Sequence, residues 1–73
     1  MKINYDKEAD AIYIRLSNAR IKKTIKVKGG VFADLDSKGN IRGIEILNFS
    51  RTIPKKERHI EVGNKKILIP AFA

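Results

Sequence analysis

The chain has 73 residues, 42% of them hydrophobic and 33% charged, with 16 Lys and Arg against 8 Asp and Glu, one His and no Cys. That length allows one domain near the lower limit for an unassisted core, and the missing cysteines exclude disulfide bracing and a thiolate zinc site. The hydrophobic share excludes a disordered basic tail, and no apolar stretch approaches the ~20 residues a membrane span needs.

The first run, Lys2 to Tyr5, alternates Ile3 and Tyr5 with Lys2 and Asn4 and lacks the apolar core of a signal peptide. The lack of cysteine suits a reducing compartment, so the expected location is cytoplasmic. Asp6-Lys7-Glu8-Ala9-Asp10 can close a hairpin, with Asp6 accepting backbone N–H bonds as in an Asx turn. Tyr5 and Tyr13 can then pair across it. In the second run Ile12, Ile14 and Leu16 alternate with Ala11, Tyr13 and Arg15. In the third, Ile21, Ile25 and Val27 oppose Lys22, Thr24, Lys26 and Lys28. Gly29-Gly30 supplies the positive φ angles of a two-residue loop before a fourth run, where Val31, Ala33 and Leu35 oppose Phe32, Asp34 and Asp36. Ser37-Lys38-Gly39-Asn40 turns the chain, with Gly39 left-handed, into a fifth run in which Ile44 and Ile46 oppose Gly43, Glu45 and Leu47. Strict period-two alternation of this kind places one set of side chains on each face of a sheet.

Beyond residue 47 at most one helical turn is expected, within Ser50–Arg58 where Pro54 suits a first turn, with a simple loop as the alternative. Two last strands, at about residues 60–62 and 66–69, flank Gly63-Asn64, whose leading glycine suits a type II′ turn. The expected fold is all-β, a single domain over residues 1–73: an antiparallel meander of about five strands, then an extension over 51–73 that packs on it. Lacking a long helix, the sheet must curl, fold its last hairpin over itself, or bury a face against another copy. Isoleucine fills 12 of the 73 positions and packs well on a pleated surface. With the Lys and Glu usage this suits a thermophile, and a low-GC genome produces the same bias.

The opening Tyr5-Asp6-Lys7-Glu8-Ala9-Asp10-Ala11-Ile12-Tyr13-Ile14 and the later Gly43-Ile44-Glu45-Ile46-Leu47 resemble, in order and spacing, the signature of a small prokaryotic family catalogued as domain of unknown function 2283. The resemblance covers about residues 1–50 and implies no activity. Some members resemble the antitoxin halves of toxin–antitoxin operons. This chain differs in being basic where similar proteins are often acidic, and residues 51–73 do not map onto the pattern. Read from the residues alone, Glu8, Ala9 and Asp10 are solvated turn residues, with a ligand or partner loop as the alternative.

Catalytic chemistry has little to stand on. His59 is the only histidine, sits beside Arg58 and near Lys55 and Lys56, and reads as a surface strand residue without a patterned partner. Asp34, Asp36 and Asn40 resemble part of a calcium loop, but Lys38 precedes Gly39 and the later glutamate is missing; a solvated strand end is the plainer reading. No enzyme activity, no cofactor and no metal site are expected.

The basic residues carry the strongest signal. Residues 20–28 hold Arg20, Lys22, Lys23, Lys26 and Lys28 and no carboxylate. Lys22, Lys26 and Lys28 are expected on one pleat face, spaced to follow a phosphate backbone. Lys55, Lys56 and Arg58 supply a second candidate patch. The competing reading is a solvated edge that deters aggregation, or a protein-partner surface. The apolar run containing Ile67, Ile69 and Phe72 is expected to be ordered and buried, with these three as candidate contacts in a homo-oligomer. The sequence thus points to a small binding module, with nucleic acid or a protein as partner and no membrane association.

Overall fold

Branched side chains alternating with polar ones form half-buried strands, and the chain folds accordingly. The computed structural model describes residues 1–53, 59–63 and 65–69. In chain order these form β1 (Lys2–Asp6), β2 (Ala11–Arg15), β3 (Lys23–Lys28), β4 (Val31–Leu35), β5 (Ile41–Ile46), a single helical turn α1 (Phe49–Thr52), β6 (His59–Val62) and β7 (Lys65–Leu68). The helical turn lies earlier than expected; Pro54 falls outside the described residues. Asn48 enters it in the left-handed region at φ 49°, a conformation that asparagine tolerates better than most residues.

β1 to β5 make one antiparallel sheet in the order β1-β2-β5-β4-β3, and β6 and β7 make a separate antiparallel hairpin. The all-β class is as expected, but the first five strands do not run as one meander. β3, β4 and β5 do; β2 pairs instead with β5, and residues 16–22 carry the chain along one end of the sheet to its far edge, a Greek-key connection. Two backbone bonds pin that crossing, Leu16 N–H to the Arg42 carbonyl at 2.9 Å and Lys22 N–H to the Leu35 carbonyl at 2.7 Å. Burial explains the order. Ile12 and Ile14 of β2 and Ile44 and Ile46 of β5 are fully buried, so both strands need neighbours on each side. β3, with three lysines and almost no burial, is suited to an edge, where charge blocks strand addition.

The inner face of the sheet supplies Ile12, Ile14, Val31, Ala33, Leu35, Ile44 and Ile46 to a core that also takes Phe49, Ile53, Ile60, Val62, Ile67 and Ile69. The terminal hairpin therefore lies over the sheet's apolar face within one chain. This corrects the expectation for Ile67 and Ile69. At 6% and 3% exposure they are core residues of the single chain and not available as contacts between copies. Period two explains it: residues 67 and 69 point inward while Leu68 between them is 67% exposed. Phe72 lies outside the described residues.

The turns follow the sequence closely. Asp6 accepts the N–H groups of Glu8 at 3.1 Å and Ala9 at 3.2 Å. Gly30, Gly39 and Gly63 carry positive φ, whereas Gly29 does not, so Gly30 alone supplies that conformation in its loop. Tyr5 and Tyr13 do not pair. Tyr5 lies opposite Ile12, and Tyr13 opposite Asn4, which sends the rings to opposite faces. Tyr5 packs edge-on against Phe49, with centroids 5.8 Å apart, and donates to Asp10 Oδ1 at 2.7 Å. Asp10 in turn accepts from the Ser50 hydroxyl at 2.6 Å, and its carbonyl accepts the Phe49 N–H at 2.7 Å. The first hairpin turn thereby holds the start of α1, which is a structural role for Tyr5 and Asp10 of the opening motif. Bonds from the Ser50 hydroxyl first, and Tyr5 second, hold the Asp10 carboxyl below its usual range.

Candidate nucleic-acid interface

β3 forms one outer edge of the sheet, and its sequence explains why: polar or charged residues at four of six positions leave no apolar stripe to bury on a second side. Lys23, Lys26 and Lys28 lie on this strand, and Arg20 and Lys22 on the segment leading into it; all five are exposed. None forms an ion pair with a described residue. The neighbouring carboxylates are already engaged. Asp34, opposite Thr24 in the ladder, accepts the Thr24 hydroxyl at 2.6 Å and the Tyr13 hydroxyl at 2.6 Å. Asp36 accepts the backbone N–H groups of Asn40 and Lys38, each at 2.9 Å, and Arg42 Nε at 2.9 Å. These bonds, that from the Asn40 backbone foremost, lower its carboxyl to about 2. The aspartates thus clamp a loop and a sheet face, and Asp36 is also the partner of Arg42.

The structure brings Arg20, Lys22, Lys23, Lys26 and Lys28 to one edge but not to one pleat face. A bulge between Lys26 and Lys28 breaks the alternation: Lys26 pairs with Phe32 while Lys28 pairs with the buried Val31. Lys28 therefore does not continue the face of Lys22 and Lys26. At the start of the edge Arg20, Ile21, Lys22 and Ser37 line an open depression of about 620 Å³, a concavity with two cations and a hydroxyl. Lys55, Lys56 and Arg58 lie outside the described residues. His59 sits on β6 with its side chain 39% exposed and Nε2 4.0 Å from Glu61, a surface strand position as read from the sequence.

Sequence reasoning passed over the sheet's second face. Tyr13, Glu45 and Phe32 lie side by side across β2, β5 and β4, continued by Asn4 on β1 and Lys26 on β3. Tyr13 lies across Gly43 to reach Asp34: a Cβ at residue 43 would overlap the Tyr13 hydroxyl, lie 2.9 Å from Cζ and stand 3.2 Å from Asp34 Oδ2. Burial, and then the bond to Asp34, push the Tyr13 hydroxyl pKa up. The Arg15 guanidinium stands 5.6 Å from the Tyr13 ring centroid, within cation–π range. The signals were present, since both aromatics occupy polar-face positions of their runs and a glycine inside a strand marks a close approach.

Fold and site together define a small antiparallel β protein with a cationic sheet edge beside an aromatic-bearing open face. The chain belongs to the family described as protein of unknown function (DUF2283), which matches residues 2–50. It is similar to the uncharacterized protein MJ0789 of Methanocaldococcus jannaschii, 39% identical over 51 residues, covering 70% of this chain and 43% of that protein. The chain thus spans less than half the length of this relative. No solved structure matches the chain. Among the described residues no helix is long and apolar enough to cross a membrane.

Proposed function

We propose that the protein is a non-enzymatic binding module that contacts nucleic acid through phosphates along its cationic sheet edge. The observation supporting this most directly is the cluster of five exposed cations in residues 20–28, none ion-paired with a described residue. A cluster of cations with no ion-pair partner among the described residues creates a local positive field. Such a field attracts the phosphates of a nucleic-acid backbone, whose neutralisation releases counterions and so favours binding. The depression between Arg20, Lys22 and Ser37 extends the same chemistry around the end of the sheet.

The second reading is a protein-interaction module, antitoxin-like subunit or homo-oligomer that uses a strand edge for β-addition. It draws on the position of β3 at the sheet edge. The lysines on that edge weigh against it, because charge is how edges resist pairing. The test is binding of labelled DNA and RNA at low ionic strength, for wild type and for a Lys22→Gln, Lys26→Gln, Lys28→Gln variant. The expected result is wild-type binding that falls in the variant for every sequence. No binding by the wild-type chain to either polymer refutes the reading.

A further inference from the structure

We propose that the open face of the five-stranded sheet is a stacking platform for the bases of single-stranded nucleic acid, with Tyr13 and Phe32 as its two ring surfaces. This rests on the reading of the cationic edge and adds which form of nucleic acid the protein takes. Tyr13 and Phe32 are half-buried aromatics that belong neither to the core cluster nor to the residues packed around it. Tyr5 and Phe49, by contrast, are packed against each other on the inner side. Two aromatic rings on the sheet face opposite the core offer apolar surfaces on which a ligand with flat apolar faces can stack.

The placement fits nucleobases. Their backbone positions flank Glu45 in the ladder, two strands and thus roughly 9–10 Å apart at ~4.7–4.9 Å per strand, and the Tyr13 ring leans from its strand across Gly43 toward Asp34 on β4. Tyr13 is preset: the Asp34 bond holds its hydroxyl, and Gly43 leaves room for the ring beneath it. The Arg15 guanidinium stands over that ring and presents its own outer plane for a base to stack on. Glu45, between the rings, can accept a bond from a base N–H, whether thymine N3–H or an exocyclic amino group. Lys26, directly opposite Phe32, begins the cationic edge, so a strand whose bases lie on the face carries its phosphates toward positive charge. That complementarity argues for nucleic acid over a second copy of the chain. A duplex hides its base faces in the stack and can use the edge only.

The test compares a short oligothymidine with a duplex of mixed sequence at one low salt concentration, for wild type, Phe32→Ala, Tyr13→Ala and Phe32→Trp. Wild type is expected to prefer the single strand. Each alanine variant should weaken single-strand binding about 5- to 150-fold, the range for one lost base–aromatic stack, and leave duplex binding unchanged. Phe32→Trp should retain affinity and show fluorescence quenching by the single strand, a readout that also verifies folding of that variant. Equal binding of the two forms with no effect of Phe32→Ala overturns the platform while leaving the cationic edge standing. A wild-type chain that binds neither polymer overturns both. Sedimentation showing a dimer that Phe32→Ala dissociates assigns the face to a second copy and also overturns the platform.

Discussion

Gly43→Ala tests the packing of the open face most sharply, because its sign depends on one neighbour. The new methyl would overlap the Tyr13 hydroxyl and lie 2.9 Å from Cζ, so the ring must move and its 2.6 Å bond to Asp34 must break. Overpacking of this kind costs about 1–3 kcal/mol, and the lost bond adds about 1 kcal/mol. Against this stands a gain of about 0.4–1 kcal/mol from stiffening the unfolded chain, available because residue 43 has no positive φ. The net is a loss of about 1–3.5 kcal/mol, or roughly 4–28 °C in Tm for a domain of this size. With Tyr13→Ala already in place the obstacle is gone, and the same glycine change should be neutral or stabilising. Urea unfolding of the wild type, both single variants and the double variant closes the cycle. An equal destabilisation by Gly43→Ala in both backgrounds would refute the claim that Tyr13 lies across this glycine.

Ile67→Ala, at a position 6% exposed inside the hairpin-covered core, should cost about 2–4 kcal/mol in urea unfolding, whereas Leu68→Ala, 67% exposed, should cost little. Asp10→Ala removes the acceptor shared by Tyr5 and Ser50 and should lower Tm by several degrees; Asp10→Asn should keep part of it, since asparagine also tolerates the positive φ found there. The Asp36 carboxyl, lowered from 3.8 to about 2, binds fewer protons folded than unfolded between those values. Its contribution is therefore complete above about pH 4 and lost as pH falls through about 2. Calorimetric melts should show Asp36→Asn flattening the pH dependence of Tm in that window, and an unchanged slope would count against the loop clamp.

The strands were legible because period two survives almost unbroken from Ile3 to Ile46, and the turns because Asp6, Gly39 and Gly63 stand where each reversal needs them. Strand order was harder to read. Alternation says which face a side chain takes but not which strand lies beside it, so β2 pairing with β5 could be inferred only from their greater burial demand. The fate of Ile67 and Ile69 turned on the same limit: an apolar strand needs a cover, and only the tertiary packing decides whether one chain or two provide it. The cationic cluster was plain in the composition of residues 20–28. The bulge that takes Lys28 off the common face was not, because a bulge depends on the partner strand. Tyr13 and Phe32 were visible as aromatics at polar positions, yet their significance rests on a register linking β2, β5 and β4 that no local pattern encodes.

The salt dependence of binding reaches the central claim most directly. Titrating a labelled single strand with wild type and with the Lys22→Gln, Lys26→Gln, Lys28→Gln variant over a range of ionic strength yields a slope of log affinity against log salt. Engagement of the five edge cations at ~0.7 counterions released per phosphate predicts a wild-type slope near −3 to −3.5, made shallower by about 2 in the variant. A wild-type slope near zero, or one that the three substitutions leave unchanged, would contradict the assignment of the β3 edge as the phosphate-contacting surface.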